Sequence, residues 1–231
     1  MKIGIIILCR YNSKRFPGKI LTKIHQESVL SHIVNRLKHI SKEAKLIVAT
    51  SYENLDNYII EECEKLNVEV FRGALKNVAK RFMDCMSYYN LDYGVRINGD
   101  NFFVDPKLIL KMMEIPHFEN YDLITNVPSR SFPYGMSIEI VKSNTYAIMY
   151  SNIMQTGEEE HVTSWFYKNK NKIKMFEYLN IEYKHASGLN LALDTESDKD
   201  YIEKIYDNLE NKTEFTLSHI VKASKKLNVE L

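Results

Sequence analysis

Cysteine is scarce in this 231-residue chain, and its scarcity excludes two kinds of stabilising cross-link. The three cysteines, Cys9, Cys63 and Cys85, are odd in number and form no Cys-x-x-Cys pair. The sequence therefore indicates neither a disulfide framework nor a thiolate zinc site. A chain of this length buries roughly 70% of the surface that its unfolded form exposes, so its core needs neither.

Long apolar runs and an excess of charge of one sign are also lacking. The apolar stretch at the N-terminus ends before Arg10, which is too short for a signal peptide or a membrane span. Lys and Arg number 31 and Asp and Glu number 30, so the formal net charge is +1. This balance provides no basic surface for non-specific binding. We therefore expect a cytoplasmic protein without nucleic-acid or membrane partners.

What the sequence does contain is a repeated alternation of strand-like and helix-like segments. The β-branched run at residues 3–8 is typical of a strand buried on both faces of a parallel sheet. Asp105-Pro106 predicts a helix start, with a cap and a proline at the first helical position. The pattern predicts an α/β domain with a mainly parallel sheet. Its predicted strands are residues 3–8, 45–50, 68–71, 93–97, 121–125, 137–141, 173–179 and 189–193, and its predicted helices are 29–40, 54–66, 77–89, 108–115, 158–170, 197–209 (capped by Ser197) and 217–227.

The segment after the first predicted strand is strongly basic. Ligands of open α/β sheets bind beyond the carboxyl ends of the strands, where this segment is expected to lie. Arginine and lysine side chains bind phosphate oxygens, and a serine hydroxyl can donate to the same anion. The segment is therefore a candidate triphosphate site, the alternative being a solvated basic loop. Its polar and charged side chains include Arg10, Ser13, Lys14, Arg15 and Lys19.

Two aspartates follow later predicted strands and are candidate metal ligands. Asp100 follows the strand at residues 93–97, and Asp194 follows the strand at residues 189–193. Mg²⁺ is usually held by one or two carboxylates together with phosphate oxygens and water. Our hypothesis is that both aspartates ligate Mg²⁺. The alternatives are a turn-forming role for Asp100 and a helix-capping role, together with Thr195, for Asp194.

Two motifs are specific enough to indicate a family. They are Cys9-Arg10-x-x-Ser13-x-Arg15-x-Pro17-Gly18-Lys19 and Arg96-Ile97-x-Gly99-Asp100. Both resemble blocks of the CMP-sugar-acid synthetases, which include the CMP-3-deoxy-manno-octulosonate and CMP-acylneuraminate synthetases and the spore-coat polysaccharide cytidylyltransferases. The last group is the most similar, because further segments fit in the same order. These are Val48-Ala49-Thr50-Ser51 followed by Asp56, Phe71-Arg72-Gly73 with Val78 and Arg81, Asp105-Pro106 after the second motif, Phe132-Pro133-x-Gly135 with Glu139, Glu160-His161-Val162-Thr163, and Leu193-Asp194-Thr195 with Asp198.

The resemblance implies a fold, a reaction and roles for individual residues. The fold is a Rossmann-like three-layer α/β/α nucleotidyltransferase fold with a mainly parallel mixed sheet and a small dimerisation extension. In the reaction an acceptor oxygen attacks the α-phosphorus of CTP and pyrophosphate leaves, which depends on positioning and charge neutralisation. Catalytic roles are implied for Arg10, Arg15, Lys19 and Asp100, with Asp100 and Asp194 on Mg²⁺. Nucleotide binding is implied for Arg10, Ser13, Arg15, Lys19, Thr50, Ser51, Arg72, Arg96 and Gly99. Arg96 is equally suited to bracing a carboxylate, because an unpaired buried arginine is costly.

The acceptor side is less closely matched. Glu139 and His161 correspond to family positions near the sugar, and Arg130 is a candidate partner for an acceptor carboxylate. The family usually has a small residue and a proline after Gly99-Asp100, where this chain has Asn101-Phe102-Phe103. Related enzymes are commonly homodimers, so we expect a homodimer and one domain over residues 1–231. Residues 130–168 are a candidate dimerisation or acceptor-binding insertion.

Other functions remain open at this point. A nucleotidyltransferase that makes sugar nucleotides from another NTP usually has a glycine-rich first loop, whereas this loop has only Gly18. A glycosyltransferase of similar fold commonly has an Asp-x-Asp motif, but Asn101-Phe102 follows Asp100. A non-sugar phosphorylated acceptor and a non-catalytic nucleotide-binding subunit are further alternatives.

Overall fold

The computed structural model describes residues 1–155 and 159–227. Its strands are β1 (Ile3–Leu8), β2 (Lys23–Ile24), β3 (Glu27–Ser28), β4 (Lys45–Ser51), β5 (Glu69–Gly73), β6 (Tyr93–Asn98), β7 (Leu123–Thr125), β8 (Glu139–Lys142) and β9 (Met175–Glu177). Its α-helices are α1 (Val29–Lys38), α2 (Asn57–Lys65), α3 (Val78–Tyr88), α4 (Pro106–Met113), α5 (Ser143–Gln155), α6 (Ser164–Lys168), α7 (Glu196–Asp207) and α8 (Leu217–Lys226).

A seven-stranded mixed sheet forms the centre of the fold, in the order β5-β4-β1-β6-β8-β7-β9. The pairs β1–β4, β4–β5, β1–β6 and β7–β9 are parallel, while β8 is antiparallel to both β6 and β7. In this sheet β8 therefore runs against the other strands. The predicted mainly parallel α/β sheet is confirmed. β2 and β3 form a separate two-stranded ribbon.

Helices cover both faces of the sheet, and β1 contributes apolar residues to both faces because it is apolar at every position. All six of its residues are buried. Ile5 and Ile7 pack in one cluster with apolar residues of α1, α2, α4, α7 and α8. Ile6 and Leu8 pack in a second cluster with residues of α3, α5 and α6. Successive strand residues point to opposite faces, so this one strand contributes to both layers of an α/β/α arrangement.

Local signals set the starts of several helices. Asp105 caps α4 by accepting hydrogen bonds from the backbone of Lys107 and Leu108, and Pro106 follows it, as predicted. The predicted cap of α7 was wrong. Thr195, not Ser197, is its N-cap, and it forms a reciprocal capping box with Asp198.

Three predictions in the second half of the chain differ from the structure. Helix α5 was not predicted. The predicted helix at 158–170 is reduced to α6, because residues 159–163 form turns in which the Glu159 carbonyl accepts from Ala79 N–H of α3. Residue 158, its predicted start, lies outside the described residues. In place of the predicted strand at 189–193, a single bridge joins Asn190 to Tyr134. The pairing does not continue, because Leu193 N–H donates to the Asp100 carbonyl instead.

Within the described residues, no helix combines the length and apolar character that crossing a bilayer requires.

Candidate active site

The basic loop at residues 10–19 is folded back on itself by a glycine turn. Gly18 has a φ of 74°, in the left-handed region that favours glycine. A Cβ at this position would lie 3.2 Å from the ring of Tyr11. Gly18 N–H donates to the Tyr11 carbonyl at 2.8 Å, and Tyr11 N–H donates to Asp56 Oδ1 at 2.7 Å. The first bond closes the loop on itself, and the second fixes it to Asp56, in the segment that follows β4.

A cleft of about 360 Å³ lies at the carboxyl ends of β1 and β6, beneath this loop. The sheet grows from β1 towards β4 on one side and towards β6 on the other, so the cleft lies at a topological switch point. Ligands of open α/β sheets bind at such points. The first cleft, as we call it, is lined by Leu8, Cys9, Arg10, Ser13, Lys14, Arg15, Lys19, Ile20, Val78, Arg81, Arg96, Asn98, Gly99, Asp100, Glu160, His161 and Asp194.

Cations of the loop meet the two candidate metal carboxylates in this cleft. Lys19 Nζ lies 2.9 Å from Asp194 Oδ1 and 3.5 Å from Asp100 Oδ2. Arg15 Nη2 lies 2.7 Å from Asp194 Oδ2. Arg10 Nη2 lies 3.3 Å from Glu160 Oε1 at the other end of the loop. The predicted convergence of basic loop and aspartates is therefore present.

Backbone contacts hold the two aspartates side by side. Leu193 N–H donates to the Asp100 carbonyl at 3.1 Å. Asp194 N–H donates to Asp198 Oδ2 at 3.0 Å, as part of the structure that begins α7. Because Thr195 supplies the helix cap, the Asp194 carboxylate is free to face the cleft. Burial, reinforced by the neighbouring Asp194 carboxylate, raises the pKa of Asp100, although Lys19 acts in the opposite direction.

A second cleft of about 300 Å³ adjoins the first. Arg96, Asn98, Asp100 and His161 line both clefts, so a group bound in one can reach a group bound in the other. Gly135 lies in its wall with a φ of 91°, and a Cβ there would lie 2.4 Å from Ala192 N. The remaining lining residues are Asn101, Val127, Arg130, Tyr134, Gly135, Ser137, Glu139, Thr163, Ser164, Tyr167 and Ala192.

Comparison with known proteins decides the family. Residues 4–226 match the family described as Cytidylyltransferase. The chain belongs to the cytidylyltransferase family. The match covers both motifs and every residue of the two clefts that lies in the described part of the chain.

Two curated proteins illustrate the relationship. Uncharacterized protein MJ1063 of Methanocaldococcus jannaschii is 36% identical over 88% of this chain and 83% of its own length. Spore coat polysaccharide biosynthesis protein SpsF of Bacillus subtilis is 28% identical over 95% of this chain and 92% of its own length.

Two solved structures agree with the fold. A cytidylyltransferase from Leptospira borgpetersenii superposes with a TM-score of 0.93 at 30% identity, covering 99% of this chain and 95% of its own. CMP:2-keto-3-deoxy-manno-octonic acid synthetase complexed with CTP superposes with a TM-score of 0.67 at 15% identity, covering 90% of this chain and 99% of its own. The second likeness concerns the fold alone. The predicted α/β nucleotidyltransferase fold with a mainly parallel mixed sheet is confirmed.

Six nucleotide-binding residues predicted from the sequence line the first cleft together with Asp100 and Asp194. They are Arg10, Ser13, Arg15, Lys19, Arg96 and Gly99. A Cβ at Gly99 would lie 2.7 Å from Cys9 Cβ, so glycine allows the loop after β6 to approach the end of β1. Gly99 N–H is already bonded to the Leu8 carbonyl at 3.0 Å.

Thr50, Ser51 and Arg72, by contrast, lie outside both clefts. Thr50 and Ser51 are fully buried, and their hydroxyl groups donate to the Asp56 carboxylate. Arg72 Nε donates to the Ser51 carbonyl at 2.8 Å. The side chains of all three bond to β4 or to the segment that follows it, and their contact with the nucleotide stays a prediction.

Arg96 and Glu139 form a buried ion pair between the two clefts. The Glu139 carboxylate is also bonded by the Thr163 and Tyr167 hydroxyls. Burial works against the charged form of Arg96, but the Glu139 carboxylate prevails and raises its pKa. Arg96 thus braces a carboxylate, the alternative left open by the sequence. Glu139, predicted as an acceptor ligand, lies with its carboxylate already surrounded by donors.

The other predicted acceptor residues lie at the second cleft and are exposed. His161 lines both clefts. Arg130 lines the second cleft, and its own backbone has a φ of 48°. The Arg130 guanidinium lies 5.4 Å from the centre of the Tyr134 ring. Both side chains are therefore available to a ligand.

Two charged residues of the first cleft, Arg81 and Glu160, had no predicted role. Arg81 is fully buried, and its Nε has no hydrogen-bond partner in the described part of the chain. Burial lowers its pKa. It lies on the apolar stripe of α3 between Val78 and Cys85, a spacing that could have revealed its burial. Glu160 stands directly before His161 in one of the weaker motifs, but nothing local indicates that it reaches Arg10.

The carboxylate pair fits a hard divalent cation. Asp100 and Asp194 already share one cation, the Lys19 ammonium. Mg²⁺ usually takes one or two protein carboxylates and completes its shell with phosphate oxygens and water. Residues 1–155 and 159–227 contain no group of three or more His, Cys, Asp or Glu side chains arranged to hold a metal. Oxygen atoms of the nucleotide would therefore be needed to complete such a site.

Proposed function

We propose that this cytidylyltransferase transfers CMP from CTP to a sugar acid or a related polar acceptor, releases pyrophosphate, and serves surface polysaccharide or glycan synthesis with Mg²⁺ as cofactor. The main support is the convergence of Arg10, Arg15 and Lys19 with Asp100 and Asp194 in one cleft at the switch point of the sheet. The similarity to the spore coat polysaccharide biosynthesis protein SpsF supports the pathway, and the resemblance of the sequence motifs to the CMP-sugar-acid synthetases supports the class of acceptor.

In this proposal the basic loop binds the triphosphate. Arg10 and Arg15 donate to its outer phosphates and stabilise the charge that develops on the departing pyrophosphate. Lys19 neutralises a phosphate as a point charge. Asp100 and Asp194 would hold Mg²⁺, which supplies charge neutralisation and an anchor for phosphate oxygens. Catalysis then depends chiefly on holding the reactants in line.

The acceptor is assigned to the second cleft. Asn98, Asp100 and His161 border both clefts, so an acceptor hydroxyl bound there would approach the α-phosphorus from the side of His161. Arg130 is the exposed cation on that side and is suited to the acceptor carboxylate. The same proposal includes one domain over residues 1–231, a cytoplasmic location and a homodimer formed through residues 130–168.

Pyrophosphate release tests the activity directly. The purified protein is incubated with CTP, Mg²⁺ and a panel of sugar acids, and pyrophosphate is measured for each. Lys19→Ala and Asp100→Ala are expected to lower the rate at least about 10²–10³-fold, the usual effect of removing an electrostatic stabiliser. Lys42→Ala and Asp200→Asn change exposed residues outside both clefts and serve as matched controls.

Three results would count against the proposal. If the Asp100→Ala variant still releases pyrophosphate, Asp100 is not a ligand of the catalytic metal. If pyrophosphate is released as fast with UTP as with CTP, the enzyme does not discriminate between uracil and cytosine. No release with any sugar acid, but release with a phosphorylated acceptor, would assign the second cleft to another substrate class.

A further inference from the structure

The Lys19 ammonium occupies the position between the two proposed metal carboxylates. It lies 2.9 Å from Asp194 Oδ1 and 3.5 Å from Asp100 Oδ2. Its side chain is 14% exposed and that of Asp194 is 15% exposed, so water screens this contact weakly. Lys19 is therefore placed as the cation of this carboxylate pair.

The other phosphate-binding cations of the loop are paired in the same way. Arg15 contacts the second oxygen of Asp194 at 2.7 Å, and Arg10 contacts Glu160 at 3.3 Å. The charges proposed to bind phosphate are thus balanced by carboxylates of the same chain. A triphosphate that takes Lys19 must leave Asp100 and Asp194 without their partly buried counterion, which is unfavourable. Arg15 is 66% exposed and Glu160 is 48% exposed, so water screens those contacts and they oppose the exchange less.

An ammonium group and a divalent cation repel each other strongly and cannot share this space. Mg²⁺ can enter only if Lys19 leaves, and Lys19 leaves readily only if another anion replaces the carboxylates. The triphosphate provides that anion and also the oxygen ligands that the two aspartates lack. Nucleotide binding would therefore allow two changes together. The Lys19 ammonium would move from the aspartates to a phosphate, and Mg²⁺ would bind Asp100 and Asp194 in its place.

We propose that Lys19 is an internal counterion that keeps the metal site closed until nucleotide binds. This inference rests on the proposed function for the assignment of Asp100 and Asp194 to the metal. Its consequence is strong coupling, in which nucleotide raises the affinity for metal and metal raises the affinity for nucleotide by the same factor. A lysine that contacted phosphate but neither aspartate would have no comparable effect on metal binding in the absence of nucleotide.

The test measures Mn²⁺ binding by the nucleotide-free protein. Mn²⁺ is a spectroscopic substitute for Mg²⁺, and the free ion is counted by electron paramagnetic resonance during a titration. Lys19→Met removes the charge and keeps the apolar stem, so Mn²⁺ should bind at least about fivefold more tightly than to the wild type, within the usual range of coupling. Lys19→Arg keeps the charge and should bind Mn²⁺ as weakly as the wild type.

A second substitution locates the gained site. Asp194→Asn in the Lys19→Met background should abolish the gain, while Asp200→Asn in that background should leave it intact. Lys19→Gln, checked for a native circular dichroism spectrum, replaces Lys19→Met if the latter does not fold. Unchanged Mn²⁺ affinity in the folded neutral variants, or a gain that survives Asp194→Asn, would overturn the proposal.

The outcomes separate this inference from the proposed function. In one outcome, pyrophosphate release requires CTP and Asp100, but Lys19→Met does not change Mn²⁺ binding. This result would support the proposed activity and contradict the counterion role of Lys19. If Lys19→Met creates a Mn²⁺ site that depends on Asp194 but no acceptor supports release, the counterion role stands and the acceptor class fails.

Discussion

Asp56 shows how one buried carboxylate organises the edge of the sheet where the nucleotide is proposed to bind. It is 1% exposed. It accepts hydrogen bonds from the backbone N–H groups of Tyr11 and Ser51 and from the hydroxyls of Thr50 and Ser51. Burial opposes the charged form of Asp56, but these bonds outweigh it and lower its pKa. The shape of the basic loop thus depends on a residue outside that loop.

Asp56→Asn is expected to destabilise the fold by about 2–3 kcal/mol, because an amide replaces a charged acceptor that faces only donors. Urea unfolding at neutral pH measures the change in free energy. Asp200→Asn, at an exposed position of α7, is the control and should stay within about 0.5 kcal/mol of the wild type. If Asp56→Asn lowers the free energy of unfolding by no more than Asp200→Asn does, the stabilising role of the Asp56 carboxylate is contradicted.

The same pair of variants predicts a pH dependence. Asp56 has a lower pKa in the folded protein than its unfolded value of about 3.9, so its stabilisation is fully present above that value. As the pH falls through the folded pKa, the carboxylate takes up a proton and the contribution is lost. The stability difference between wild type and Asp56→Asn should therefore shrink as the pH is lowered from about 5 towards 2.5.

Some residue roles could be read from the sequence and others could not. Arg10, Arg15 and Lys19 stand in one short motif, and their shared cleft follows from their position after a buried strand. Thr50 and Ser51 also follow a buried strand, but a nearby aspartate takes their hydroxyl groups. Whether a polar side chain faces ligand or protein depends on the partners that tertiary packing brings near it.

Among the structural elements, α7 links helix capping to the proposed metal site. Thr195 and Asp198 form its capping box, and Asp198 also accepts the N–H of Asp194. The carboxylate that faces Lys19 is therefore positioned by the start of a helix. The sequence predicted the helix, but its cap was placed two residues too late.

Thr195→Ala is expected to lower stability by about 1 kcal/mol, the usual cost of losing a threonine N-cap. Ser197→Ala, at the predicted but incorrect cap, should cost no more than about 0.5 kcal/mol. Chemical denaturation of both variants provides the comparison. A larger cost for Ser197→Ala than for Thr195→Ala would reverse the assignment of the cap.

Helix α5 was missed because its sequence lacks the pattern that identifies a surface helix. Residues 143–155 contain no charged side chain, so polar and apolar faces are weakly distinguished. Tyr146 is buried against Phe82 and Phe166, while Ile148 is 67% exposed. Its helical state depends on packing against α3, a contact that the local sequence does not show.

For the whole molecule, the exposed apolar residues of α5 support the proposed homodimer. Ile148 and Met154 are 67% and 41% exposed, and both lie within residues 130–168. Apolar side chains of this size are common at the centre of protein interfaces.

Ile148→Asp is expected to shift the protein towards a monomer, because a carboxylate would be buried without a partner at such an interface. Light scattering after size-exclusion chromatography measures the mass, which is 27.1 kDa for one chain. Ile181→Asp changes a residue that is 75% exposed outside this segment, and should leave the mass unchanged. A monomeric wild type, or a dimer that withstands Ile148→Asp, would contradict the proposed interface.

The sequence by itself determined the α/β alternation, the basic loop and the family, because these depend on short-range patterns of apolar, turn-forming and charged residues. Tertiary structure alone decided which of these segments share a cleft. Lys19 and Asp194 are separated by 175 positions in the chain, and they meet because β6 pairs with β1 and the start of α7 lies against the loop after β6. Contacts of this kind arise from the order of strands in the sheet, which local side-chain preferences do not encode.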